Sequence, residues 1–452
     1  MINIEKYIAE TTWKGLNVLR GHLDLGIAQG VLRELLFLRL LNSEINRDSY
    51  FEERIEGRIQ FNNTEELFTQ LNEFIKKNTI LQGLFEDIYS IRNNNDYRFL
   101  DNVISLLNDV DFDNKDMQLD ILFRNFLDIS PKLKSSINTT SPSIRELISE
   151  LLKNREIRNL YNPSIGYGSL SLQVASKHKG ISIYGQDINN EMIRICKMQL
   201  ILDKRIEELA NINQGNTIVN PGNIDENGLR KFDCIVCDPP YGLRDWGYEE
   251  ILNYDPYNRF YRGMPSKSLG DYAFITHVIE SLNSEGIAIM IEPTGVLFRE
   301  GAEGVLRQKL VEENLIDTVI ALPNNMMFGT AIPVNLIVFN KAKKEKDVLF
   351  IDVAKEVMVN KVLTTLSEDM VKKIVKVYEE RLDIEGFSRR VDIDEIQFNN
   401  FNLNIQRYIE EVSEKEALDI NEIGKEIEEL IVKLQGIQTE INKFFLKDKN
   451  LK

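Results

Sequence analysis

The sequence predicts an α/β protein built on a mostly parallel sheet, with an all-helical domain before it and a coiled-coil helix after it. Helical periodicity runs through residues 1–135, short apolar runs alternate with helical patterns across residues 136–405, and residues 406–452 carry a heptad repeat. Strands that alternate with helices indicate a parallel sheet with both faces covered. These three segments are the predicted domains.

The N-terminal segment contains amphipathic helical patterns and no residues that suggest chemistry. The stretch GVLRELLFLRLLN (30–42) spaces its leucines along one broad helical face. Asn63 followed by Glu66 matches the capping pattern of a helix start. The segment therefore predicts a packed helical domain.

The central segment alternates apolar runs of strand length with helical patterns. The predicted strands are 157–161, 181–185, 232–237, 287–292, 317–322 and 334–339. The predicted helices lie around 142–153, 169–178, 189–203, 272–283 and 301–314. Open sheets of this kind bind ligands at the carboxyl ends of their strands.

The C-terminal segment repeats apolar residues at alternating intervals of four and three. The repeat consists of Ile423, Ile427, Leu430, Leu434, Ile437, Ile441 and Phe444. An a/d seam of this length favours a coiled coil with a partner, and the polar character of the other helix faces agrees with it. A single helix packed on its own domain is the alternative.

Charge and composition narrow the classes of function. The formal net charge is −16, which weighs against tight DNA binding by this chain alone, because phosphate contacts supply most of such affinity. An enzyme that acts on DNA with a partner subunit stays compatible. No apolar run is long enough to cross a membrane, and MINIEKYIAE lacks the pattern of a signal peptide. We therefore expect a cytoplasmic protein without membrane contact.

The cysteines do not predict a metal or disulfide site. The chain has three, of which Cys234 and Cys237 form a lone CxxC within the predicted buried strand FDCIVC. Residues three apart on a strand point to opposite faces, so these thiols cannot easily share a metal. No second CxxC or histidine pair completes a zinc site, and we predict no metal.

The stretch NPSIGYGSL (162–170) follows a predicted strand and opens a helix. Gly166 and Gly168 lack a Cβ and let the backbone approach a ligand closely, while the helix beginning near Ser169 directs its free N–H groups at the same point. The next strand ends at Asp187, where an acidic side chain can hold the hydroxyls of a ribose. The dinucleotide pattern's third glycine is missing, which favours a nucleoside ligand over NAD.

A second motif, Asp238-Pro239-Pro240-Tyr241, directly follows the predicted strand 232–237 and should face the same crevice. Asp238 can accept a hydrogen bond from an amino group, and the prolines stiffen the loop and expose the Pro239 carbonyl as a second acceptor. Tyr241 offers a flat face to an extruded base. Stacking of roughly 1–3 kcal/mol approximately offsets the cost of extrusion.

In their order along the chain, these motifs resemble the γ class of amino-methyltransferases, most closely the methylation subunit of type I restriction–modification systems. LNVLRGHLDLGIAQGVLRELLFLRLLN is similar to that subunit's helical domain, SPSIRELISELL to the segment before its cofactor loop, and DPPY to its catalytic loop. FGTAIPVNLIVFNK and FNLNIQRYI are similar to the end of its core. The resemblance implies a Rossmann-like core that transfers a methyl group from S-adenosylmethionine to N6 of a flipped adenine in DNA.

The resemblance also implies the roles of individual residues. The implied catalytic residues are Asp238, Pro239, Pro240 and Tyr241, and the implied cofactor-binding residues are Thr140, Ser141, Pro142, Asn162, Gly166, Gly168, Ser169, Asp187 and Asn216. The resemblance implies that methyl transfer is direct, without a metal or a covalent enzyme intermediate. Catalysis then rests on positioning and on stabilising the positive charge that develops at nitrogen.

Three residues depart from the family pattern. The family usually has Asp at the position of Asn162 and often has Asp at the position of Asn216. Ser141 replaces the threonine of a Thr-Pro pair. Asparagine keeps an acceptor but loses the charge, so we expect weaker cofactor binding or altered geometry. The Asp-Pro-Pro-Tyr loop also replaces the more usual Asn-Pro-Pro-Phe, and it suits amino methylation equally.

The stretch after the catalytic loop, residues 242–270, interleaves aromatic and basic side chains. Such mixing suits contact with an unstacked strand, and a loop packed on the sheet is the alternative. The candidate DNA-binding residues are Arg244, Trp246, Arg259, Arg262 and Lys267.

The resemblance implies DNA and a specificity subunit as partners, the latter bound through the C-terminal coiled coil, and leaves an associated restriction subunit open. No target-recognition domain is visible in the sequence. Two other functions stay open: a weakly active or inactive scaffold subunit of a defence complex, favoured by Asn162 and Asn216, and a methyltransferase acting on RNA or on protein glutamine.

Overall fold

The computed structural model describes residues 4–92, 97–114, 117–129, 140–327, 330, 332–360, 363–409 and 430–437. The chain divides into two compact units, Met1–Ile409 and Glu410–Lys452. The predicted boundary between the first two domains, at residue 135, lies outside the described residues. The predicted domain borders therefore stay predictions.

The N-terminal segment folds into helices around one apolar core. They are α1 (Ile4–Arg20), α2 (Leu25–Arg47), α3 (Ser49–Glu52), α4 (Thr64–Lys77), α5 (Glu86–Ile91), α6 (Phe99–Asn108) and α7 (Leu119–Ile129). The side chain of Asn63 accepts a hydrogen bond from the Glu66 amide at 3.0 Å, which is the predicted cap of α4. Ile195 and Met198 also belong to this core, so the helices pack directly on the sheet-forming part of the chain.

The central segment forms a nine-stranded, mostly parallel sheet in the order β11-β10-β8-β9-β7-β6-β1-β2-β3, and β4 pairs separately with β5. The strands are β1 (Asn159–Asn162), β2 (Ser182–Asp187), β3 (Ile212–Gln214), β4 (Ile224–Asp225), β5 (Gly228–Leu229), β6 (Phe232–Cys237), β7 (Leu282–Pro293), β8 (Ile316–Ala321), β9 (Val334–Asn340), β10 (Asp347–Asp352) and β11 (Ser388–Asp392). Strand β9 is antiparallel to both of its neighbours, and β11 is antiparallel to β10.

Helices cover both faces of the sheet. They are α8 (Pro142–Leu152), α9 (Ser169–Ala175), α10 (Asn190–Leu202), α11 (Tyr248–Asn253), α12 (Asp271–Ser281), α13 (Ala302–Glu312), α14 (Glu368–Glu380) and α15 (Ile393–Phe398). One apolar cluster joins α8, α9 and α14 to the sheet, and another joins α12, α13 and α15 to it. Cys234 belongs to the first cluster and Cys237 to the second, so the two thiols lie on opposite faces, as the strand geometry predicted.

The strand order places the site. Strand β1 lies between β2 and β6 and runs parallel to both. From β1, the chain proceeds outward to β2 and β3 on one side and later returns to β6 on the other, so the order reverses at β1. Ligands bind at such a switch point, beyond the carboxyl ends of the strands. The loops after β1, β2 and β6 all meet there.

The second unit is described only over residues 430–437, which are helical. Leu430, Leu434 and Ile437 of the predicted seam are 58–65% exposed there. The remaining seam residues lie outside the described residues, and the coiled coil stays a prediction. Within the part of the chain that is described, no helix combines the length and apolar character that a membrane span requires.

Candidate active site

The loop after β1 follows a path that requires glycine at two positions. Gly166 has a φ of +55° and Gly168 a φ of +85°, in the left-handed region that residues with a Cβ rarely adopt. A Cβ on Gly168 would also lie 2.9 Å from the sulfur of Cys196. The backbone therefore turns sharply and leaves open space beside it.

Asp187, at the carboxyl end of β2, fixes this turn. Its Oδ2 accepts a hydrogen bond from the Gly166 amide at 2.9 Å, and its Oδ1 accepts one from the Asn189 amide at 2.9 Å. Burial raises the pKa of Asp187, and the two N–H donors oppose that effect. The carboxylate is thus held in one orientation, with further lone pairs available to hydroxyl donors.

The two asparagines that depart from the family pattern both act as acceptors within turns. Asn162 Oδ1 accepts from the Ser164 amide at 3.1 Å. Asn216 Oδ1 accepts from the amides of Ile218 and Val219 at 2.9 and 3.2 Å. An asparagine oxygen performs this local capping without a charge, so both turns form with the residues present.

Asp238 follows β6 and is fixed by two hydroxyl groups. The Tyr241 hydroxyl donates to Oδ1 at 2.7 Å, and the Thr140 hydroxyl donates to Oδ2 at 2.5 Å. Burial raises the pKa of Asp238 to about 6, although both hydroxyls lower it. Ser164 donates to the backbone carbonyl of Asp238 at 3.1 Å. The glycine-bearing loop and the catalytic loop are therefore bonded to each other.

Both loops line a single cavity of about 420 Å³. The predicted site residues that line it are Thr140, Asn162, Gly166, Ser169, Asp187, Asn216, Asp238, Pro239, Pro240 and Tyr241. The lining also includes Arg145, Ile188, Met192, Leu243 and Phe274, which the sequence did not single out. The predicted common crevice is present.

A family model described as N-6 DNA Methylase matches residues 124–417. The chain belongs to the N-6 DNA methylase family. The matched region contains the glycine-bearing loop, the catalytic loop and the sheet that joins them. The resemblance inferred from the motifs is confirmed.

Curated relatives of this chain include methylase subunits of type I restriction enzymes. The chain is 32% identical to the MpnII subunit of Mycoplasma pneumoniae over 321 residues, which are 67% of this chain and 58% of that protein. It is 28% identical to the MjaVIII subunit of Methanocaldococcus jannaschii over 395 residues, which are 82% of this chain and 68% of that protein. The aligned segments thus span about three fifths to two thirds of the relatives' length.

A solved structure shows the same fold. The methyltransferase subunit of the type I restriction–modification system from Streptococcus thermophilus matches with a TM-score of 0.78 and 22% identity, over 90% of this chain and 100% of that chain. The predicted α/β methyltransferase core with its N-terminal helices is confirmed at the level of the fold.

Three of the predicted cofactor-binding residues do not line the cavity. Ser141 lies directly before α8 but makes no capping hydrogen bond, and its buried hydroxyl has no hydrogen-bond partner among the described residues. Pro142 is the first residue of α8 and is exposed, because proline is tolerated at that position. Gly168 packs against Cys196 instead. Their assignment to cofactor binding stays a prediction.

Arg145 was not singled out from the sequence, but it contacts the residue that binds Asp238 of the catalytic loop. Its guanidinium donates to Asp128 at 2.8 Å and to the backbone carbonyl of Thr140 at 3.2 Å. Thr140 in turn bonds Asp238. The contact extends the support of Asp238 to helix α7, which carries Asp128.

Asp271, the first residue of α12, holds the other end of the catalytic loop. Its Oδ1 accepts from the Gly242 amide at 2.7 Å, and Oδ2 accepts from Arg299. Arg299 also pairs with Glu303. In addition, the Gly270 amide donates a hydrogen bond to the Leu243 carbonyl at 2.9 Å. Asp271 was not singled out from the sequence, because its partners Gly242 and Arg299 lie 29 and 28 residues away.

Three of the five candidate DNA-binding residues are buried, which corrects their assignment. Trp246 is 0% exposed and donates to the Ser266 carbonyl at 2.9 Å. Arg259 is 0% exposed, and Arg262 pairs with two carboxylates, those of Glu280 and Glu313. Enclosed side chains with internal partners are not available to a phosphate. The alternative of a loop packed on the sheet therefore holds for these three.

The other two candidates are exposed. Arg244 lies at the surface beside the cavity-lining Leu243. Lys267 is 70% exposed and pairs with Glu249, which is 60% exposed, and solvent weakens such an interaction. Both stay candidates for DNA contact.

Proposed function

We propose that the protein methylates N6 of adenine in DNA at specific sites, with S-adenosylmethionine as donor, as the methylation subunit of a type I-like restriction–modification or phage-defence system. One observation carries the proposal: the glycine-bearing loop and the Asp238 loop line the same cavity and are bonded through Ser164. Membership of the N-6 DNA methylase family supports it. A DNA substrate also implies a cytoplasmic location.

The residues present fit the cofactor. A volume of about 420 Å³ lies within the range of roughly 300–1,000 Å³ found for small-molecule sites. Asp187 is oriented by two amides and keeps acceptors for ribose hydroxyls, while Gly166 leaves space where a side chain would intrude. When bound, S-adenosylmethionine supplies an electrophilic methyl group. Asp187, Asn216 and the turn at Gly166 are the residues that would hold it.

Asp238 orients the amino group that is methylated. Because hydroxyls fix both carboxylate oxygens, the remaining lone pairs point in set directions and can accept from an adenine N–H. The Pro239 carbonyl is the second acceptor. As positive charge develops on nitrogen, these two oxygens stabilise it. Positioning of this kind accounts for a large part of the barrier that an enzyme removes.

The direct test is transfer of labelled methyl groups to DNA by wild type, Asp238→Ala and Asp238→Asn, each with its partner subunits. Asp238→Ala should lose at least about a hundredfold in rate, the scale of a lost positioned acceptor, while binding of S-adenosylhomocysteine stays within a few fold. Asp238→Asn keeps one oxygen acceptor and should retain more activity than Asp238→Ala. Glu226→Gln, in the exposed β4–β5 turn, is the matched control and should retain full activity.

Three outcomes contradict the proposal. Normal methylation by Asp238→Ala removes the catalytic assignment of the loop. Cofactor binding without any transfer by the wild-type complex supports the scaffold function instead. Transfer to RNA or to protein, with none to DNA, identifies a different substrate for the same cavity.

We also propose that the C-terminal segment binds a specificity subunit. The apolar seam residues in 430–437 are exposed, and an exposed a/d seam gains stability when a second helix covers it. Such a partner supplies the DNA affinity that a chain of net charge −16 lacks.

A further inference from the structure

Arg259 is a fully buried cation in the stretch that follows the catalytic loop. Its Nε donates to Asp255 Oδ1 at 3.0 Å, and its own amide is also bonded to that carboxylate. The ion pair satisfies one edge of the guanidinium. The other two nitrogens have partners other than Asp255.

One of these nitrogens holds the turn beside the cavity. Arg259 Nη2 donates to the backbone carbonyl of Ile218 at 2.7 Å. Ile218 lies two residues after the cavity-lining Asn216, whose side chain caps the same turn. Thr217, between them, donates to the carbonyl of Pro163 at 2.7 Å. The turn is therefore fixed both to the loop after β1 and to Arg259.

The other nitrogen reaches β1 through a histidine. Arg259 Nη1 lies 3.2 Å from His277 Nδ1, and His277 Nε2 lies 3.1 Å from the Tyr161 hydroxyl. Arginine can only donate, so Nδ1 accepts and the ring proton is on Nε2. Burial and the neighbouring Arg259 lower the pKa of His277, which agrees with a neutral ring. Tyr161 directly precedes Asn162, where the loop after β1 begins.

We propose that Arg259 is a positioning residue for the cofactor, and that it fixes the 216–218 turn against the loop after β1 so that the cofactor site is formed before the ligand arrives. The inference rests on the proposed function, because it concerns the same cavity. Preformed sites bind more tightly because less ordering is needed on binding. Arg259 follows the catalytic loop in sequence and thereby governs cofactor affinity. None of its four hydrogen bonds described above involves the catalytic Asp238.

Arg262 provides a matched control. It lies three residues further on, is 5% exposed, and pairs with Glu280 and Glu313. Its side-chain bonds go to these two carboxylates, not to the turn beside the cavity. Loss of either arginine removes a buried cation from the same stretch, but only the loss of Arg259 releases the turn.

The experiment compares Arg259→Met, Arg259→Lys and Arg262→Met with wild type in the complete complex. Titration with S-adenosylhomocysteine gives the Kd, circular dichroism and the melting temperature report folding, and methyl transfer gives KM and kcat. Arg259→Met should raise the Kd and the KM for the cofactor at least tenfold, with kcat at saturating cofactor within threefold of wild type. Arg262→Met should lower the melting temperature but keep the Kd within twofold.

Arg259→Lys retains the charge opposite Asp255 but cannot donate to Ile218 and His277 together, so it should raise the Kd at least threefold even if Arg259→Met does not fold. Unchanged Kd in a folded Arg259 variant overturns the inference. An equal rise in Kd for Arg262→Met also overturns it, because the effect is then one of general stability. Absence of cofactor binding in wild type instead overturns the proposed function.

Discussion

Asp238 has an environment in which burial and hydrogen bonding act on its charge in opposite directions. Burial raises its pKa to about 6, while the hydroxyls of Thr140 and Tyr241 lower it. The ionised form is the one that accepts from an amino group, and it prevails only above that pKa. Activity should therefore fall as the pH is lowered through about 6, and Asp238 is the group responsible.

Thr140→Val tests this assignment. Loss of one donor to the carboxylate raises the pKa of Asp238 further. A hydrogen bond to a charged group contributes about 1.5–3 kcal/mol, so the acidic limb of kcat against pH should move upward by about one to two pH units. Ser141→Ala is the control, because that neighbouring hydroxyl has no partner among the described residues. An acidic limb that stays in place in Thr140→Val excludes Asp238 as its source.

Individual site residues could be predicted from the sequence where their role depends on the strand and turn in which they lie. Gly166 and Asp238 follow strand ends, and a strand end with its turn is visible in a short pattern. The direction of Arg259 was not visible, because the Ile218 carbonyl that it binds lies 41 residues away. The bond from Thr140 to Asp238 was not visible for the same reason, since the two residues lie 98 positions apart.

Helix α12 secures the catalytic loop through its first residue. Asp271 accepts from the Gly242 amide and is paired with Arg299. The loop is thereby attached at its far end to a helix that packs on the sheet, while Thr140 and Ser164 hold its near end. The position of Asp238 depends on both attachments.

Asp271→Ala should release the far end of this loop. We expect kcat to fall about tenfold to a hundredfold, since small displacements of a reacting group cost that much, while the Kd for S-adenosylhomocysteine stays within about twofold because the cofactor-binding residues are untouched. Asp369→Ala, an exposed aspartate in the first turn of α14, serves as control. A variant with reduced cofactor affinity and unchanged kcat contradicts this role for Asp271.

Strands buried on both faces were the most predictable elements, although the buried strand β10 (Asp347–Asp352) was not predicted. The predicted strands 232–237 and 334–339 match β6 and β9 to within a residue, because buried strands are continuous apolar runs. The outer strand β11 has the sequence SRRVD and pairs only with β10. Its polar face leaves no hydrophobic signal, and β3 has only three residues, so neither was predicted.

The whole molecule combines an acidic surface with a proposed DNA substrate. A net charge of −16 disfavours approach to phosphates, and three of the five candidate DNA contacts are internal. A partner that supplies DNA affinity resolves this conflict. The exposed seam on the second unit is the proposed attachment point.

Substitution of the seam tests the attachment. Leu430→Lys with Leu434→Lys should reduce co-purification with the specificity subunit at least about tenfold, because charges on an a/d seam cannot be buried. Ile431→Lys with Val432→Lys is the control, since these residues are also exposed and apolar but lie outside the seam. Equal loss in both pairs, or no loss in either, contradicts the coiled-coil interface.

The central claim is that one cavity receives both the cofactor and the amino group. A crystal structure of the protein with S-adenosylhomocysteine measures this directly. We predict the ribose hydroxyls at Asp187, the adenine beside Asn216, and the sulfur facing Asp238 across the cavity of about 420 Å³. A ligand bound outside this cavity, or with its sulfur directed away from Asp238, contradicts the account.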